Sequence, residues 1–120
     1  GGGGHAGKGG SGDYTPEVPG GISYGISYLQ PSAGSGGGQA PAYTPTTTDL
    51  GSGGGVVYIK ASVAITVSGT VSASGKEGKD IIQGECTGGG AGGTILLQSP
   101  HLTGTGFLVS NGGNGGHGGG

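Results

Sequence analysis

Glycine is gathered into runs along this chain, at residues 1–12, 34–38, 51–55, 75–78, 88–93 and 111–120, so long stretches of backbone carry almost no side chains. An ordered glycine gives up more conformational freedom than any other residue, about 0.5–1 kcal/mol beyond alanine, and brings nothing to a core. With 37 glycines in 120 residues, an ordinary hydrophobic interior is not what holds such a chain together. Disorder is the usual reading of high glycine, but disordered chains are also charged and poor in β-branched residues. Here only 8% of residues are charged, and the blocks Val56-Val57-Tyr58-Ile59 and Thr94-Ile95-Leu96-Leu97 ask to be buried as strands.

Collagen is excluded, because glycine does not fall strictly at every third position and prolines number six. The runs still suit an extended helix of three residues per turn, in which nine residues reach about 28 Å at 3.1 Å each. That helix has no internal hydrogen bonds, so buried arms must pair their N–H and C=O groups with neighbouring arms. Only residues without side chains allow such close approach on every side.

Residues 52–78 lie on residues 89–115 at an offset of 37 without a gap. Gly53, Gly55, Gly69, Gly75 and Gly78 fall on Gly90, Gly92, Gly106, Gly112 and Gly115, while Tyr58, Ile59, Ile65 and Val71 fall on Ile95, Leu96, Leu102 and Leu108. Self-similarity at this period marks stacked architectures. From Val57 to Val67 apolar and polar residues alternate, the pattern of a half-buried strand. Ile59, Ile65 and Val71 stand six apart, as do Leu96, Leu102 and Leu108, and these six are expected to form an inward ladder and structural core. Each copy reads either as an antiparallel hairpin turning near Gly69 or as one coil of a solenoid. The recurrence of the flanking arms favours the coil. The expected fold is therefore all-β or irregular, a single module of polyglycine-II helices packed with short strands, solenoid-like and with essentially no α-helix.

Residues 13–50 differ in character. Ile22-Ser23-Tyr24 and Ile26-Ser27-Tyr28 form a tandem that reads as a third, degenerate strand unit, set between proline-bearing loops. Tyr14, Tyr24, Tyr28 and Tyr43 fall here, and tyrosines among Ser and Gly compose adaptable recognition surfaces. They are the candidate binding loop.

Several function classes are excluded. A formal charge of −2 with no basic cluster argues against nucleic acid. No apolar run reaches the 18 or so residues that span a bilayer, and a chain without an initiating methionine reads as processed or excised. Cys86 is the sole cysteine, so no internal disulfide forms. Gly2-Gly3-Gly4-His5-Ala6-Gly7-Lys8 fits the start of a phosphate-binding loop, but Gly9 replaces the hydroxyl residue that would hold magnesium. His5, His101 and His117 have no ligand spacing, and Asp49, Glu77, Asp80 and Glu85 accompany no nucleophile and base in recognisable order. No catalytic residue, metal site or cofactor is assigned.

The succession Val56-Val57-Tyr58-Ile59-Lys60-Ala61, then Ser68-Gly69-Thr70-Val71-Ser72-Ala73-Ser74-Gly75, then Leu108-Val109-Ser110-Asn111-Gly112-Gly113-Asn114 resembles glycine-rich repeats of phage structural proteins and microbial surface proteins. The arms resemble the polyglycine-II lattices of tail-fibre tip adhesins of T-even-like phages and of springtail antifreeze proteins. The resemblance implies a non-enzymatic structural protein, extracellular or on a virion surface, that assembles with itself into a fibre or decorates one. Two alternatives accompany it: an adhesin holding residues 13–50 out to a cell-surface glycan or receptor, and an ice-binding protein.

Overall fold

A computed structural model describes residues 1–10, 19–25, 30–38, 50–80 and 86–117. These residues hold six short strands and no helix: β1 (Val56–Lys60), β2 (Ala64–Thr66), β3 (Thr70–Ser72), β4 (Thr94–Gln98), β5 (His101–Thr103) and β6 (Phe107–Val109). They form three two-stranded parallel sheets, β1 with β4, β2 with β5 and β3 with β6. Each strand of the first copy thus lies beside its counterpart in the second. A hairpin at Gly69 is overturned, since β2 and β3 flank that glycine and pair with β5 and β6 instead of each other.

The register follows the repeat with one correction. Partners in the second and third sheets stand 37 residues apart, Ile65 beside Leu102 and Val71 beside Leu108. In the first sheet the separation is 38, so Tyr58 lies beside Leu96 and Ile59 beside Leu97. The slip arises at a corner: residues 61–63 join β1 to β2, whereas only Ser99 and Pro100 join β4 to β5. Beyond that corner side-chain bonds keep the 37-residue step, with Thr66 Oγ1 at 3.1 Å from Thr103 Oγ1 and the Asn111 N–H donating to Ser74 Oγ.

The turn between β5 and β6 requires glycine. Gly104 has φ +117°, and a Cβ there would lie 2.0 Å from the Val67 carbonyl oxygen. Gly104→Ala is expected to lower stability by about 1–3 kcal/mol, the cost of holding a side chain in such backbone. A fall in urea midpoint with unchanged slope would record it.

The expected inward ladder is only partly an interior. Ile65 is buried at 9% exposure and Val71 and Leu96 are half-buried, but Ile59, Leu102 and Leu108 are exposed, Leu102 to 56%. Two layers leave each layer without a neighbour on its far side, so the stacked positions have half the contacts a longer stack would supply. Ile65, Ala73 and Ala91 are the only buried hydrophobic residues among those described.

Backbone pairing among the glycine arms takes the place of that core. The arm at residues 87–93 lies at the centre, with Thr87 only 1% exposed and Gly89, Gly90, Ala91 and Gly93 buried. Thr87, Gly90 and Gly93 donate to the carbonyls of Lys79, Lys76 and Ala73, while Gly88 and Ala91 donate to those of Gly38 and Ser35. In return the Gly88 and Ala91 carbonyls accept from Gly51 and Gly54, those of Gly90 and Thr87 from Gly113 and Gly116, and that of Gly89 from Gly3. Every such series advances by three residues, the period of an extended three-per-turn helix. Among the described residues five arms therefore surround the central one.

The same period corrects the reading of Ile22–Tyr24 as a strand. Gly21 and Tyr24, three apart, donate to the carbonyls of Gly2 and His5, and no strand forms. The segment is one more arm beside residues 1–4.

Candidate assembly surface

Of the four candidate binding tyrosines, Tyr24 lies within the described residues; Tyr14, Tyr28 and Tyr43 lie outside them. Tyr24 is tied into the scaffold. Its ring meets the His5 imidazole edge-on at 5.3 Å, and its hydroxyl donates to the Ala33 carbonyl at 2.7 Å. His5 is buried, and its Nε2 lies 3.1 Å from Ser32 Oγ. Gly25 closes this corner with φ +70°, where a Cβ would lie 2.2 Å from Ser32 Oγ. Tyr24→Ala is expected to cost about 1–3 kcal/mol through the lost hydrogen bond and ring contact. A thermal melt against the parent chain measures it.

The acidic residues within view serve the backbone lattice. His117 N–H donates to Asp80 Oδ1 at 2.6 Å, and Asn114 Nδ2 donates to Glu77 Oε1 at 3.4 Å. No group of three His, Cys, Asp or Glu residues converges among the described residues. The phosphate-loop-like start of the chain is part of an arm, with Gly2 and Gly3 donating to the carbonyls of Gly10 and Gly89, and residues 8–10 are not helical.

Two kinds of unfilled surface stand out instead. The first is the rim of the strand stack. Among the described residues every strand pairs along one side only, leaving a row of backbone groups on the other. Beside these edges stand exposed Val63, Leu102, Phe107 and Leu108, of which Phe107 is 68% exposed. Neither Val63 nor Phe107 was distinguishable in sequence, because β-alternation says which residues share a face and not whether that face is covered.

The second surface is a groove of about 700 Å³ beside the central arm. Gly3, His5, Gly7 and Lys8 form one wall, and Gly92 and Ser110 stand opposite. Glycine backbone at Gly3, Gly7, Gly92 and Gly112 alternates in its walls with the side chains of His5, Lys8, Thr94 and Ile95, and a Cβ on Gly7 would meet nothing within 4 Å. No helix among the described residues is long and apolar enough to cross a membrane. No protein-family model, curated protein or solved structure matches the chain.

Proposed function

We propose that this chain is a non-enzymatic structural protein whose copies assemble into, or onto, an extracellular or virion fibre. The observation that carries this reading is the open, apolar rim of the strand stack. A sheet edge with unpaired N–H and C=O groups is a template for another chain, and here it is uncovered among the described residues and sparsely charged, Lys60 and His101 being the only basic residues in the six strands. The second copy of the repeat already lies on the first in parallel register, so a further copy of the chain can add to it in the same manner.

In this reading the arms are polyglycine-II helices, supported by the three-residue period of their mutual bonds, and the strands are two rungs of a solenoid-like stack. Rungs of such a stack gain stability from neighbours, and two are fewer than the three or so that repeat architectures need. Low charge is consistent with close approach between copies.

Negative-stain microscopy and light scattering of the purified chain test the reading. Filaments or regular oligomers growing with concentration are expected. Stable monomers at every concentration would overturn it. As an internal control, Phe107→Asp, which places a charge on the open rim, is expected to reduce assembly while leaving the circular dichroism of the monomer unchanged.

A further inference from the structure

The central arm has one unfilled side, and its geometry specifies what fits there. In a three-per-turn helix the N–H groups point in three directions, one for each phase of the sequence. Residues 87, 90 and 93 donate to the arm at 73–79, and residues 88 and 91 to the arm at 34–38. Gly89 and Gly92 make up the third phase, and among the described residues their N–H groups have no hydrogen-bond partner. Gly92 lines the groove described above, and Gly89 lies one turn before it on a residue that is itself buried. Unpaired N–H groups in such positions are rare in folded proteins and call for an acceptor.

Hexagonal packing gives each helix six neighbours. The central arm has five, at residues 1–4, 34–38, 51–54, 73–79 and 110–116, and the groove occupies the remaining place, with residues 3–8 on one side and residues 110–112 on the other. Each filled place holds a glycine-rich arm of this chain. An occupant of the sixth must be extended, free of side chains toward the wall, and able to offer carbonyl groups at a spacing of three residues.

The chain carries such a segment on its own surface. Among the described residues the arm at 110–116 is bonded to only two others, at 73–79 and 87–93. Gly112 and Gly115, three residues apart, make no backbone hydrogen bond among the described residues, and a Cβ on Gly115 would meet nothing within 4 Å. We infer that the last arm of a second copy seats in this groove, the carbonyls of its Gly112 and Gly115 accepting from the N–H groups of Gly89 and Gly92. Gly112 also lines the groove, so knob and groove adjoin on one face of the molecule. This inference rests on the reading that copies associate, and it names a contact distinct from the strand rim.

Hydrogen exchange at individual amides tests it, on the full chain with a synthetic peptide of residues 110–117 as probe. In the free monomer Gly89 and Gly92 are expected to exchange fast for their position. In the assembly, and in the monomer saturated with peptide, both are expected to slow about tenfold or more, as amides do on gaining a partner. A peptide with valine at positions 112 and 115 is expected to give no slowing. Gly7→Leu, whose Cβ has open space at the groove wall, is expected to abolish protection by the probe while its circular dichroism remains that of the parent. Assembly in which both amides still exchange at the free rate overturns the seat and leaves self-assembly standing. Protection by the probe in a chain that never assembles keeps the seat and removes the fibre. Equal protection by the valine peptide, or none by either, overturns the inference.

Discussion

Replacing Gly54 with alanine is expected to unfold most of the molecule, although it adds a single methyl group. A Cβ at Gly54 would lie 1.8 Å from the Ala73 carbonyl oxygen and 2.6 Å from the Gly93 nitrogen, both backbone atoms that no rotamer change can move. Relief requires the arms at 51–54, 73–79 and 87–93 to separate. That parts the bonds from Gly54 to Ala91, Gly93 to Ala73 and Lys76 to Ser52, and the bond Gly54 accepts from Gly34 lies at the same place. At about 1 kcal/mol net per bond, with the penalty of buried unpaired groups added, the loss is about 4 kcal/mol or more. A small chain of this kind has little to spare. Gly115→Ala is the control: nothing lies within 4 Å of its Cβ, and the change should stay within about 0.5 kcal/mol. Urea titrations followed by circular dichroism compare the two. Equal midpoints for both variants would show that the arms are not packed as described.

Ile65→Ala is expected to have the second largest effect, about 2–4 kcal/mol, because Ile65 is the one large hydrophobic side chain buried among the described residues and sits in the middle sheet beside Leu102. The same truncation at Leu102 should cost distinctly less in the monomer, since that side chain is 56% exposed. The difference reverses on assembly. In the proposed assembly a copy stacking on the rim would cover Leu102, so Leu102→Ala should raise the concentration needed to assemble several-fold, whereas Ile65→Ala should act chiefly on the fold. Thermal melts of dilute chain together with scattering against concentration separate the two contributions. If Leu102→Ala left the assembly threshold unchanged, the strand rim would not be the contact.

Both expectations turn on how burial is divided between the monomer and its neighbours. Spacing identified Ile59, Ile65, Val71, Leu96, Leu102 and Leu108 as positions that stack. It could not tell that Ile65 alone is enclosed in one chain. Burial depends on how many layers are present, and a repeat seen twice in sequence fixes only the contact between its two copies. The Tyr-bearing loops illustrate the same limit. Tyr24 looked available for recognition from composition, yet its ring and hydroxyl are committed to His5 and Ala33, partners 19 and nine residues away in sequence.

Sequence alone determined that glycine arms alternate with strand blocks, that no helix would form, and that one block recurs 37 residues later. Those properties follow from local preference and periodicity: β-branched and aromatic runs extend, and glycine runs cannot hold a helix or a core. Tertiary structure alone decided that the recurring strands lie parallel and beside each other, with a one-residue slip at the first corner set by the length of a turn. It also decided which arm is central and which phase of its N–H groups is left without a partner. Glycines are identical to one another in sequence. What distinguishes Gly92 from Gly90 is only the direction each amide faces once the arms are packed, and that direction is a property of the lattice.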